Sequence, residues 1–365
     1  MPISSHLFPP PLDMASRRIL RMAVGTALGM WISQAVAWPM SFVSPVLAFV
    51  FLSLPLPRPS LKMTVGFVLV LSGSSFAGVV LLPFLEHARW VGIGLFVLAL
   101  FHTFYFTAKG GSPALGTFMT VGLTLVAAVG SVNSSAMIAI ATALTVCAIW
   151  GMAMVWLAHA LIPDPPAIAG PGGKKPPPPS KPDLETARLR AFRSMLIVLP
   201  IAIFFLFSSA STSYLVVMIK VATMGQQANV DSSRSAGRSM LASTTVGGIG
   251  AIIAWQILSI WPSLVVYSLV LLLFALLVGS KIFQGAGMHP KAAVWSYGYL
   301  TMIVVLAPAV MDGFGSDGAS SAFYLRLFLF IVVAIYGSTA VAVFDAFWPQ
   351  VMGGTSAFQR APAPA

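Results

Sequence analysis

Lys220 stands in the run YLVVMIKVATMGQQ with no other charge beside it. It lies about eight residues into an apolar stretch, roughly 12 Å along a helix at about 1.5 Å per residue. A lone ammonium in such a place does one of two things. It attracts an anion, or its long stem lets the charge reach water near Gln226. Arg326, about six residues into another apolar run, poses the same choice. A guanidinium there either reaches outward or lines a cavity. His159 and Asp345 offer proton chemistry, because a partner or burial moves either group toward neutral titration. Both lie four residues before a proline, Pro163 and Pro349, close to a segment end where polar side chains reach water easily. Ser44 and Pro45 interrupt a short run, and the proline is expected to leave an unpaired carbonyl that could coordinate a substrate or proton.

Other chemistries drop out by spacing. The Gly173-Lys174 pair has Ile168 where a phosphate-binding loop needs glycine, so no nucleotide site forms and any transport would be secondary. Cys147 is the single cysteine, which excludes a disulfide framework and a thiolate metal cluster. The five histidines include no paired metal-binding motif, and His102, within ALFHTFYF, reads as a helix-packing residue. No hydrolytic triad assembles. The expectation is a protein that is not an enzyme and carries no cofactor or metal.

The elements that must hold these residues are membrane helices. Of 365 residues 58% are hydrophobic and 8% charged, and the mean hydropathy is +0.92; soluble domains carry roughly a quarter charged residues. Runs near the ~20 residues needed to cross a bilayer recur along the whole chain. The first six cover Arg18–Ala37, Met40–Leu54, Met63–Leu85, Trp90–Ala108, Ala114–Val132 and Ser135–Ile162. The second six cover Arg193–Ser209, Thr212–Met224, Ser239–Trp261, Leu264–Ser280, Ala292–Met311 and Ser320–Trp348. The second and eighth runs are short and interrupted, which in matched positions of two halves points to a transport site.

The two sets are copies. AIWGMAMVWLAHALIP (Ala148 to Pro163) and AIYGSTAVAVFDAFWP (Ala334 to Pro349) align without a gap 186 positions apart and place His159 opposite Asp345. The fold expected is an all-α integral membrane protein of about twelve helices in two parallel six-span repeats, 18–162 and 188–349. A cytoplasmic tail (1–17) precedes them, a Pro-rich cytoplasmic linker (163–187) joins them, and a cytoplasmic tail (350–365) follows. The linker has nine prolines in 25 residues and should be extended. Ala35-Val36-Ala37 resembles a leader cleavage site, but Arg190 and Arg193 repeat the spacing of Arg18 and Arg21, which marks the segment as a first span.

With both termini cytoplasmic, seventeen of the twenty Lys and Arg residues fall on the cytoplasmic side, as the positive-inside rule requires. The net charge of +11 is thereby explained, and nucleic acid is not a partner. Trp38, Trp90, Trp255, Trp261 and Trp348, near span ends, read as interfacial anchors. Gly25 with Gly29, and Gly247 with Gly250, permit close helix approach.

The opening RRILRMAVGTALGMWISQAVAWPMSFVSPVLAFVFLSLP, an arginine-led span followed by a Pro-containing hairpin and a Gly-rich third span, resembles the fusaric acid resistance (FUSC) and aromatic acid exporter superfamily, in its compact inner-membrane branch. The resemblance covers nearly the whole chain through the duplicated six-span plan. It implies a bacterial inner-membrane exporter of aromatic carboxylic acids or related toxic compounds, working with a periplasmic adaptor of the membrane-fusion type. Larger relatives carry a substantial cytosolic domain, where this chain has only the linker. The combined expectation is a proton-driven exporter with its cavity between the halves. Lys220, Arg326, Ser44 and Pro45 would bind substrate, Asp345 or His159 would exchange protons, and a homo-oligomer is compatible with the fold. A scaffold that anchors the adaptor without transporting, and a membrane-embedded enzyme or lipid-handling protein, stand as alternatives.

Overall fold

The structure, a computed structural model, describes residues 13–131, 133–164, 184–207, 217, 219–226, 233–285, 287–313 and 319–351. Among the described residues the chain is all-α apart from one hairpin. The helices are α1 (Met14–Val36), α2 (Val43–Leu52), α3 (Leu61–His87), α4 (Arg89–Ala108), α5 (Pro113–Gly130), α6 (Ser134–Leu161), α7 (Leu184–Phe207), α8 (219–226), α9 (Ser233–Ile260), α10 (Leu264–Ile282), α11 (Ala292–Met311) and α12 (Ala319–Val351). Among the described residues nine helices are long and apolar enough to cross a membrane: α1, α3 to α6 and α9 to α12. Their outward faces carry Leu69, Val80, Ile249, Leu277 and Phe328, all exposed, which in water would be costly and in lipid is the expected partner surface. The protein is an all-α membrane protein.

The apolar runs and the helices coincide closely at α4, α5, α6, α10 and α11. Helix starts follow local chemistry. Asp13 caps α1 by accepting the Ser16 N–H at 3.0 Å, and hydrogen bonding from the Ser16 side chain, with that N–H, holds the exposed carboxyl below its usual range. Ser263 caps α10 through the Val266 N–H at 3.2 Å. Pro113 opens α5, where its missing donor has no cost. Helix α7 begins at Leu184, inside the expected linker, because the linker's last proline is Pro182 and the residues after it favour a helix. The rest of that linker, 165–183, lies outside the described residues, as do the tails 1–12 and 352–365.

The second run departs most from the expectation. Its helix α2 has 10 residues, about 15 Å, half the ~30 Å of a hydrocarbon core. It starts late because Ala37 and Met40 adopt left-handed backbone (φ 55° and 59°) around Trp38-Pro39, and it ends early because Pro55, Pro57 and Pro59 follow. Of the eighth run, 212–216 and 218 lie outside the described residues.

An antiparallel hairpin of two two-residue strands, β1 (Phe283–Gln284) and β2 (Gly287–Met288), joins α10 to α11 and pairs Phe283 with Met288 and Gln284 with Gly287. Its turn is possible because Gly285 takes φ +56°.

The helices form two compact units that do not follow chain order. The first comprises 1–72, 139–179 and 246–319, and the second 73–138, 180–245 and 320–365. In the first, α1 packs on α10 and α2, and α11 on α2 and α10. In the second, α4 packs on α7 and α5, and α5 on α7. A helix from each six-run set therefore pairs with one from the other: first with fourth in the first unit, fourth with first in the second. The unit borders fall inside α3, α6 and α9.

Glycines make the packing close. A Cβ at Gly25 would lie 2.5 Å from Leu52 Cδ1 and 2.9 Å from Ala158 Cβ, so α1 touches α2 and α6 through backbone. Gly29 faces Met154 and Pro45, Gly247 faces the Gly298 carbonyl, and Gly250 faces Met302. Gly151 and Gly337, 186 positions apart in the aligned stretches, each face the short helix of their own set: Gly151 meets Leu47 and the Ser44 carbonyl on α2, and Gly337 meets Met224 on α8.

Candidate functional site

The six residues singled out by sequence divide between the units. Lys220, Arg326 and Asp345 belong to the second, and Ser44, Pro45 and His159 to the first.

Lys220 sits on α8 at 5% exposure and Arg326 on α12 at 3%. Neither charge reaches the surface, which removes the snorkelling option for both. The apolar residues around Lys220 in sequence, Val217, Ile219, Val221 and Ala222, are equally buried, so the ammonium enters the interior with its helix. Two turns on, Gln226 is fully buried and its Nε2 donates to Thr120 Oγ1 at 3.4 Å. Thr120 Oγ1 donates to the Gly116 carbonyl and lies 3.0 Å from Thr103 Oγ1. This amide and hydroxyl chain ties α8 to α5 and α4. Sequence reading missed it, although three threonines at 103, 107 and 120 in otherwise apolar helices were the available signal. Asp345 lies in α12, but its side chain is outside the described residues.

The α2 start corrects the expectation about Pro45. Proline at this position deprives the Ser41 carbonyl of its usual fourth-residue donor, and the Ser44 N–H donates to that carbonyl instead, at 3.3 Å. No open carbonyl results, because in the first helical turn a third-residue bond substitutes at little cost. Ser44 Oγ donates to the Cys147 carbonyl at 3.3 Å, and Pro45 packs on Gly29. Cys147 Sγ in turn donates to the Met40 carbonyl and accepts from Trp38 Nε1, each at 3.3 Å. Trp38 stacks on Trp150 with centroids 5.7 Å apart. These bonds hold the left-handed turn.

His159 is buried at 8% exposure, contrary to the expectation that its place near a helix end would expose it. Nδ1 donates to the Val155 carbonyl at 2.9 Å, and Nε2 is buried without a hydrogen bond among the described residues. The same end of α6 is bound by α1. Arg21, 3% exposed, donates through Nε and Nη2 to the Ile162 carbonyl at 3.0 and 2.8 Å and through Nη2 to Asp164 Oδ1 at 2.6 Å. Arg17 Nη1 reaches the Pro163 carbonyl at 3.3 Å. These cations bind the carbonyls just past the C-terminus of α6 and complement its dipole. His159 stands within electrostatic reach of Arg21, Asp164 and Arg58.

Among the remaining polar candidates, His102 is exposed and bonds only along its own helix, Nδ1 to the Leu98 carbonyl at 2.8 Å; it packs against no second helix through that bond. Trp90 and Trp261 are 85% and 70% exposed, as anchors should be, but Trp255 is 3% exposed and belongs to the core. Among the described residues no group of three His, Cys, Asp or Glu side chains could hold a metal ion.

The arrangement supplies buried cations in one unit and a capped, buried imidazole in the other. That is a chemistry of charge attraction and proton exchange. No curated protein and no solved structure matches the chain. A family described as "Protein of unknown function (DUF2955)" matches residues 18–158, which fall inside the first six-run set.

Proposed function

We propose that the protein is a secondary transporter of the bacterial inner membrane, exporting aromatic carboxylic acids or related toxic small molecules by exchange with protons, as part of an envelope-spanning pump with a periplasmic adaptor. The observation that carries the reading is the burial of Lys220 and Arg326 within membrane-spanning architecture. Cations in low-dielectric surroundings attract an entering anion far more strongly than they would in water. An aromatic ring suits an apolar interior. His159, and Asp345 in the aligned stretch, are the proton-exchanging groups in this reading. In this reading the end of the first unit that carries Arg17, Arg18, Arg21, Arg58 and Lys62 faces the cytoplasm, as the positive-inside rule asks, and both termini are cytoplasmic. The compact inner-membrane branch of the FUSC superfamily, which the chain resembles through its opening spans and duplicated six-span plan, is the family-level counterpart.

The test is movement of a panel of aromatic carboxylates in vesicles holding the protein, with and without a proton gradient. Gradient-dependent transport by the parent and its loss in Lys220→Ala support the exporter. Normal transport by both Lys220→Ala and Lys220→Gln would remove Lys220 from the site. No transport by the parent with adaptor present would favour the scaffold.

A further inference from the structure

The segment after α2 has the build of a headgroup site. Residues 55–65 read PLPRPSLKMTV. Pro55, Pro57 and Pro59 stiffen the chain before α3 begins at Leu61. Along it Leu56, Leu61, Met63 and Val65 are exposed by 47, 65, 44 and 47%, and Arg58 and Lys62 are exposed beside them. The segment contains no acidic residue. Arg58 does not trail in solvent. Its guanidinium lies 4.0 Å over the Trp156 ring, and Trp156 is itself fixed by its Nε1 donating to Thr64 Oγ1 at 3.1 Å. A guanidinium seated on an indole face keeps its edge donors for planar oxyanions.

Further cations belong to the same end of this unit. Arg17 and Arg21 reach the C-terminus of α6, the helix that carries Trp156, and Asp164 there is already engaged by Arg21. Lys281 follows Gly279, whose Cα faces Ile19 and Met22 of α1. Apolar side chains and cations alternating on one rigid segment, with an aromatic brace, match a membrane interface whose lipids are anionic. The geometry points to a binding surface for anionic phospholipid at residues 55–65, with the phosphate held by Arg58 and Lys62 and the acyl chains against Leu61 and Val65, which share a face of α3. The occupant is lipid rather than free phosphate, because half of the surface is apolar and exposed.

Native mass spectrometry of the full chain, released from micelles holding equal phosphatidylglycerol and phosphatidylcholine, tests the assignment. The parent is expected to retain phosphatidylglycerol in excess. Arg58→Gln and Lys62→Gln, both surface changes that leave the core intact, are each expected to cut that retention about fivefold at low ionic strength and to leave phosphatidylcholine unchanged. Arg58→Lys, which keeps the charge and loses the planar stack, should fall between. Equal retention of the two lipids by the parent, unchanged phosphatidylglycerol retention in the double variant, or an equal drop for both lipids would each overturn it. The readout needs no transport, so it stands or falls apart from the exporter reading.

Discussion

Arg21 of α1 and Asp164, just past α6, meet at 2.6 Å, with the guanidinium buried and the carboxylate 41% exposed. The same guanidinium donates twice to the Ile162 carbonyl. One side chain thus ties α1 to the end of α6. Arg21→Met should leave that carbonyl and Asp164 without their donor and cost about 1–3 kcal/mol, seen as a lower thermal midpoint in detergent. Asp164→Asn should cost less, since its half-exposed carboxylate is screened by water. An equal loss for the two would mean that the ion pair, rather than the carbonyl bonds, holds the end.

Gly25 lies where α1 meets Leu52 and Ala158, and Gly73 lies where a Cβ would meet nothing within 4 Å. Gly25→Ala should overpack this crossing and lower stability by about 1–3 kcal/mol. Gly73→Ala should be neutral or raise stability by up to about 1 kcal/mol, because alanine costs less helix entropy. Thermal unfolding of the two variants side by side checks both signs.

Much of this was legible because a membrane span needs only length and apolarity. Runs such as 90–108 and 292–311 carry that signal in one dimension, and the helices fall within a residue of them. The binding of the α6 end was not legible, since it depends on Arg21 arriving from 141 positions away. The same holds for the units. Pairing of α1 with α10 and α4 with α7 is a tertiary choice that no local pattern encodes, so the chain-order halves and the packed units differ. Trp255 misled for a related reason: its distance from the helix end suggested an anchor, while its face of α9 turns inward.

In the proposed exporter Lys220 is the group that attracts the substrate. Lys220→Met keeps the length of the side chain and removes the charge, so a folded variant isolates electrostatics. Gradient-driven transport of aromatic carboxylates should drop by at least tenfold in the folded variant. Arg326→Met should act in the same direction. Retained transport in both variants would leave these cations with a structural role alone.

Gly116 on α5 tests how tightly the polar chain of the second unit is built. A Cβ there would collide with Thr107 Oγ1 on α4 and come within 3.0 Å of Gln226 Nε2. Gly116→Ala should therefore separate α4 from α5 or push Gln226 off Thr120, at a cost of about 1–3 kcal/mol. Thr107→Ala removes the colliding oxygen and keeps the Cβ, so it should be mild alone. Combined with Gly116→Ala it should restore most of the loss, giving a coupling of about 1–2 kcal/mol in a double-mutant cycle. Thermal midpoints of the four proteins supply the cycle. Additive losses would show that Gly116 is needed for its backbone and not for the space it leaves to Thr107.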